Sequence, residues 1–248
     1  MTKHRVNQQS GFILHRRPYS ESSLLVDVFT RGYGRLTLIA KGSRRNKQRS
    51  VGLFIPFKPL LLSWSGKGNL PVLTGIESSR FAVDLSASAR SCAYYQNELL
   101  LKLLHRFDSN EKLFDHYRDS LVALEEGINP HLVLRIFEKY LLREIGFGLI
   151  LDHDASSGEA INEDAYYDYV PEKGPVYTHF PSVASISGKT LKALNDDNFE
   201  SHEQLHEAMR LTRKLIDRQL NGEVLRTRKV IYAMRDFKEL NQLVGMNT

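Results

Sequence analysis

Near residue 85 the spacing of apolar side chains in this 248-residue chain changes from every second position to every third or fourth. That switch limits what the chain can build. Before it, five short runs read as strands: Phe12–Leu14, Leu24–Phe29, Leu36–Ala40, Leu60–Trp64 and Val72–Ile76. Turn chemistry separates them at Pro18-Tyr19-Ser20, Gly32-Tyr33-Gly34, Gly42-Ser43 and Gly66-Lys67-Gly68. Five short strands with a longer interval between the third and fourth predict a small closed Greek-key barrel of the OB-fold type.

After the switch the pattern is helical. Tyr94, Leu99, Leu100, Leu103, Leu104 and Phe107 form one apolar stripe, and Leu113, Phe114, Tyr117, Leu121 and Leu124 form another. Pro130 opens a third helix, which Gly146 stops. Residues 150–182 lose the helical period and collect Asp, Gly, Pro and aromatics, which predicts an irregular or β-hairpin-like insertion. Helices resume near Ser187, and Ser201-His202-Glu203-Gln204 reads as a capping box. That helix runs to Asn221-Gly222, and a last one starts near Thr227. The predicted architecture is α+β and multidomain: an OB-fold barrel over residues 1–80, then a mostly α-helical domain over 81–248 with a small insertion at 150–182.

Charge divides the chain at the same place. From Val28 to Ile76 there are nine lysines and arginines and no aspartate or glutamate. Residues 1–80 hold 14 basic and 3 acidic side chains, net +11, whereas residues 81–248 hold 20 and 26, net −6. A surface of one sign attracts polyanions, because an ordinary solubilising surface mixes signs. Arg31, Arg35, Lys41, Arg44, Arg45, Lys47 and Arg49 are therefore candidate phosphate contacts. Tyr19 and Tyr33, in turns, are the better candidates among the barrel aromatics for stacking on bases, ahead of Phe54, Phe57 and Trp64. No base-reading motif is visible, so such binding is expected to be largely independent of sequence. Arg210, Arg213, Lys214 and Arg218 share one face of the capped helix, either as a second phosphate track or as a plain solvated face. Arg226, Arg228 and Lys229 carry the same two readings.

Several chemistries find no support. The apolar runs are far shorter than the roughly 20 residues a membrane helix needs. The N-terminus lacks the apolar core of a secretory signal, and the chain reads as cytoplasmic. Cys92 is the only cysteine, so neither an intrachain disulfide nor a cysteine-based zinc ribbon is available. Asp152-His153-Asp154, with Glu159, Glu163, Asp164 and His179, matches no metal-site spacing and reads as a hydrated acidic loop. There is no phosphate-binding GxxxxGK[ST] loop and no nucleophile elbow. No catalytic residue, metal or cofactor is expected, and the chain does not read as an enzyme.

The opening GFILHRRPYSESSLLVDVFTRGYGRLTLIAKGSRR resembles the start of RecO, the bacterial recombination mediator family. Further matching landmarks follow in order: Pro56-Phe57-x-Pro59, Asn97-Glu98-Leu99-Leu100, the run from Arg135 to Gly148, Gly188 to Leu194, and Leu225 to Arg228. The resemblance implies ATP-independent work in the RecF pathway of DNA repair. It implies binding of single- and double-stranded DNA, annealing of complementary strands, and help to RecA in displacing single-strand-binding protein. RecR and the acidic, apolar C-terminal tail of single-strand-binding protein are the implied partners, in a cytoplasmic, nucleoid-associated setting. In enterobacterial-type members a helical-domain arginine receives that tail, and it falls on Arg135. Many members hold zinc with four cysteines in the insertion. This chain has none between residues 150 and 182, which implies a zinc-free insertion packed through Tyr166, Tyr167, Tyr169 and Tyr177. Two other readings stay open: an RNA-binding OB module, which would favour RNA over matched DNA, and a metal-dependent nuclease using the acidic insertion.

Overall fold

The computed structural model describes residues 5–43, 52–66, 68–78 and 84–230. Arg44, Arg45, Lys47 and Arg49 lie outside the described residues, as does Lys67. The chain divides into two compact units, Met1–Ser109 with Glu223–Thr248, and Asn110–Gly222. The last barrel strand ends at Ser78, and the compact units divide elsewhere. The first helix and the segment from Glu223 group with the barrel.

The barrel unit is built from β1 (Arg5–Pro18), β2 (Leu24–Thr30), β3 (Gly34–Ala40), β4 (Leu60–Ser65) and β5 (Val72–Ser78), followed by helix α1 (Ala87–Leu103). The strands pair in the ring order β1-β2-β3-β5-β4, with β4 returning to β1. The ring is thinnest between β3 and β5, which meet in parallel at Ile39 and Val72. The Ile39 N–H adds a bond to the Pro71 carbonyl across that seam, at 2.9 Å. Alternation along each strand sends Val26, Val28, Leu36, Leu38, Leu60, Leu62 and Trp64 into the core with Ile13 and Phe54. The other face of the β1 centre is buried too, because α1 covers it. The Asn97 side-chain amide donates to the Leu14 carbonyl at 3.0 Å, anchoring the helix to the strand.

β1 starts earlier than its hydrophobic pattern predicts. Its first six residues, Arg5–Ser10, polar except the buried Val6, pair with β4 through a register shift between Val6 and Gln9, and Gln8 sits there at φ 47°. Such a bulge bends an edge without any apolar signature in the sequence. At the far end of the unit, α1 stops at Leu103, before the end of the predicted stripe. Phe107 turns out at φ 61° and is exposed, and its N–H bonds the Arg35 carbonyl of β3 at 2.9 Å.

The second unit contains α2 (Glu111–Glu125), α3 (Pro130–Glu144), a three-stranded sheet of β6 (Tyr166–Val170), β7 (Gly174–Tyr177) and β8 (Ile186–Ser187), then α4 (Gly188–Asn195) and α5 (His202–Gln219). Each helix starts on a side-chain cap: Asn110, Asn129, Ser187 and Ser201. Pro130 occupies the first turn of α3, and the Ser201–Gln204 capping box forms in full. The insertion supplies the hairpin β6–β7 of a sheet in the order β7-β6-β8, whose third strand lies just past residue 182. Tyr167 and Tyr169 are buried, and their hydroxyls accept from the Asn162 and Ile150 N–H groups at 2.9 and 3.2 Å. Burial pushes the Tyr169 hydroxyl up to about 12. Tyr166 and Tyr177 remain exposed. Asp154 is buried and holds the insertion loops together, accepting from Ser156 N–H at 2.7 Å and Tyr177 N–H at 3.1 Å. Asp152 pairs with His153 at 2.7 Å. Among the described residues no three His, Cys, Asp or Glu side chains gather as a metal-binding set, and no helix is long and apolar enough to cross a membrane.

Candidate nucleic-acid interface

Sequence-predicted residues of the barrel fall at three places. Arg31 is exposed in the β2–β3 turn, with its N–H bonded to the Ser10 carbonyl at 3.0 Å. Lys41 is exposed just past β3. Tyr19 stands 56% exposed in the β1–β2 turn, as a base-stacking ring must. Tyr33 is half-buried and packs edge-on against Trp64, with ring centroids 5.2 Å apart. Phe54, Phe57 and Trp64 are buried in the unit and offer no face to a ligand.

Arg35 belongs to a larger cluster that the basic run alone does not reveal. On β2, Val26 and Val28 face the core, so Asp27 faces outward. Register places it opposite His15 on β1 and Thr37 on β3. A shift between Ile13 and His15 is what brings His15 and Arg17 onto that face, since an added residue reverses the side-chain phase. Asp27 is only 5% exposed. Its Oδ1 accepts from the Thr37 hydroxyl at 2.5 Å. Its Oδ2 lies 3.4 Å from Arg17 Nη1 and 3.7 Å from His15 Nδ1. Arg106 reaches Thr37 Oγ1 from the segment after α1, where it forms a β-bridge with Arg35. Arg35 Nε donates to the Leu104 carbonyl at 3.0 Å. Burial, and then the nearby Arg106 charge, hold the Arg35 guanidinium below its ordinary value, and Asp27 offsets this only in part.

A second basic group joins the barrel unit from the far end of the sequence. The Glu98 carboxylate on α1 accepts from the Arg226 and Thr227 N–H groups at 2.8 and 2.9 Å and from the Thr227 hydroxyl at 2.7 Å. It thereby caps the helical residues 226–230. Arg228 lies over the Tyr95 ring at 5.7 Å, while Arg226 and Lys229 stay exposed. Lys102 pairs with Glu223 beside them. Three cations thus return to the unit that carries the positive strands.

The α5 face in the other unit is less one-sided. Arg210 lies 3.9 Å from Glu207 and donates to the Ser185 carbonyl at 3.4 Å, and Arg218 pairs with Glu172 at 2.8 Å. Lys214 is exposed and Arg213 half-buried. Arg135 is buried in the interior of the helical unit, where it pairs with Glu138 at 2.8 Å. Its Nε has no hydrogen-bond partner there. Glu138 also accepts from the Thr212 hydroxyl of α5 at 2.5 Å.

The chain matches the family described as Recombination protein O N terminal over residues 1–81, and Recombination protein O C terminal over residues 85–229. It belongs to the RecO family. A DNA repair protein RecO from Azoarcus sp. (strain BH72) is 42% identical over 234 residues, spanning 92% of this chain and 96% of that relative. Those from Methylococcus capsulatus and Thiobacillus denitrificans are also 42% identical, over 226 and 246 residues. They span 91% and 96% of this chain, and 93% and 94% of the relatives. RecO membership gives the chain a role in DNA repair and recombination.

Proposed function

We propose that this RecO-family chain binds single- and double-stranded DNA through the barrel unit and anneals complementary strands without ATP. With RecR, it helps RecA load onto DNA coated by single-strand-binding protein. The observation that carries this reading is the one-signed charge of the stretch from Val28 to Ile76 within a RecO member. Two DNA strands repel each other, and a protein with more than one cationic surface screens that repulsion and raises their local concentration. Arg31, Arg35 and Lys41 supply cations along the barrel, and Arg44, Arg45, Lys47 and Arg49, which lie outside the described residues, are proposed to add to them. Arg226 and Lys229 supply a second surface on the same unit, and Arg210, Arg213 and Lys214 add a weaker one on the helical unit. Tyr19 is the stacking ring, and Tyr33 is the second candidate. No covalent step, metal or cofactor enters this mechanism.

The helical unit is proposed to receive the acidic C-terminal tail of single-strand-binding protein. Arg135 is assigned to that contact, and the guanidinium meets a terminal carboxylate only when the Glu138 pair opens. In the closed pair, Arg135 and Glu138 hold α3 against α5 through Thr212.

Annealing of two dye-labelled complementary strands, in EDTA and without ATP, tests the reading. Strands are offered bare, then coated with single-strand-binding protein that is intact or lacks its tail. Acceleration on bare strands, and a need for the tail on coated ones, is expected. Replacing Arg44, Arg45 and Lys47 by Glu should weaken DNA binding strongly with folding intact. Tighter binding to RNA than to matched DNA, with no annealing, would replace this reading by the RNA-binding one.

A further inference from the structure

We propose that the Asp27 cluster is a phosphodiester clamp on the outward face of β1–β3, built from residues other than the basic run at 41–49. The inference rests on the nucleic-acid reading above and says where on the barrel a backbone phosphate is held. Two guanidiniums, of Arg17 and Arg106, and the His15 imidazole converge on a single carboxylate, directly or through Thr37, and Arg35 joins them through its β-bridge with Arg106. One arginine would suffice to neutralise Asp27. The buried carboxylate is therefore the organiser of a cationic cluster, and the excess charge is what the cluster presents.

The geometry fixes the cations before any ligand arrives. Asp27 is engaged on both oxygens. Arg35 is tied to the Leu104 carbonyl through Nε, and Arg106 to Thr37 through Nη2. Each guanidinium has five N–H donors, so these contacts leave others to take phosphate oxygens. Arg35 and Arg106 are neighbours across a β-bridge; burial first and then the Arg106 charge hold the Arg35 guanidinium down, and an oxyanion placed between the two relieves their repulsion. Prepositioned donors lose little on binding, which favours an anion of this shape over water.

The ligand class follows from exposure. The side chains of Arg17 and His15 are 51% and 53% exposed, so the cluster opens sideways along the strands and does not close over a small anion. A polymer backbone fits such a site, because its neighbouring phosphates can continue along the face. The one-residue shift in β1 is the structural device behind the clamp. Without it, His15 and Arg17 would point to the opposite face of the sheet.

The test is the salt dependence of affinity for a single-stranded oligonucleotide, using the full chain. Arg17→Gln with Arg106→Gln removes two phosphate partners. The slope of log affinity against log salt should become shallower by about 1.4, and affinity near 0.1 M salt should fall about 25-fold. Arg17→Gln alone, at a half-exposed side chain, keeps the test available if the double variant melts early. It should cost about 5-fold and 0.7 in slope. Inorganic phosphate is titrated in parallel. A steep slope in the unaltered protein that both variants retain would overturn the clamp and leave the nucleic-acid reading standing. So would tight inorganic phosphate binding that both variants lose while their DNA affinity stays unchanged. Absence of any salt-dependent binding by the unaltered protein would overturn the reading beneath it as well.

Discussion

Arg135 donates from Nη2 to Glu138 Oε1 at 2.8 Å, one turn along α3, with both side chains enclosed in the helical unit. A buried pair of this kind is costly to halve. Removing one partner strands the other charge away from water, whereas removing both leaves a packed apolar site. Arg135→Met or Glu138→Leu is expected to lower stability by about 3–5 kcal/mol each. The double substitution should lose clearly less than the sum. Urea denaturation of the four proteins measures the coupling. The same result bears on partner binding: an Arg135 variant that fails to take an acidic tail is informative only after its fold has been shown intact.

Glu98 gives a second case in which one side chain joins distant sequence. It accepts three hydrogen bonds from Arg226 and Thr227. Burial pushes its carboxyl up, but those bonds and Lys102 outweigh burial and leave it below the usual glutamate range. A carboxylate lowered by folding stabilises the fold above its ordinary value, and that stabilisation is lost as pH falls through the folded value. Glu98→Gln is expected to cost about 1 kcal/mol near neutrality, the size of a helix-cap loss. The difference between variant and unaltered protein should shrink to nothing in acid. Thermal melting across a pH series reads it, and a difference that stays constant with pH would contradict the cap.

These contacts show where the sequence is legible and where it stops. The strands from β2 onward could be read because alternation fills one face of each with Val, Leu and Trp. The helix starts could be read because Asn, Ser and Pro have local roles at caps. β1 is only half visible, since its first six residues are polar except Val6 and pair through a bulge. The basic run was visible as charge, but not the clamp. His15, Arg17, Asp27, Thr37 and Arg106 meet only through strand register and a segment 69 residues from Thr37. Arg135 stands out in the sequence only as the tail-receiving arginine that the resemblance implies. Its burial depends on Glu138 and on Thr212, 74 residues beyond Glu138, and local pattern carries no trace of that pairing.

Gly34 turns the chain into β3 at φ 64°, and a methyl group there would stand 1.8 Å from the Asp108 carbonyl oxygen. The position therefore fails for a side chain twice, once by backbone conformation and once by collision with main chain that cannot swing aside. Gly34→Ala should lower stability by about 3 kcal/mol or more, a loss associated with a forced backbone shift. It should also displace Phe107 and Arg106, which follow from the same contact. A drop in melting temperature, together with weaker binding to single-stranded DNA, is expected. A fully stable Gly34→Ala protein would show that the 104–108 segment does not need to lie against β3.

His116 lies flat on Tyr140, with ring centroids 3.4 Å apart and planes 18° from parallel. Arg143 sits over the Tyr140 ring at 4.4 Å and Lys139 at 5.0 Å. The Tyr140 hydroxyl donates to Asp197 at 2.9 Å. Burial, and then the Arg143 charge, hold the His116 imidazole below its ordinary value, while Asp119, Asp197 and Glu144 pull the other way without prevailing. Folding thus favours the neutral ring. As pH falls, the unfolded chain takes up this proton first, so the contribution is whole above the ordinary histidine value of about 6.5 and is lost below the folded value. Ring-proton NMR should show His116 titrating with a midpoint under 6.5, and Arg143→Gln should raise that midpoint. A midpoint at or above the ordinary value, unmoved by Arg143→Gln, would mean that the stack opens in solution and the arginine does not face the imidazole.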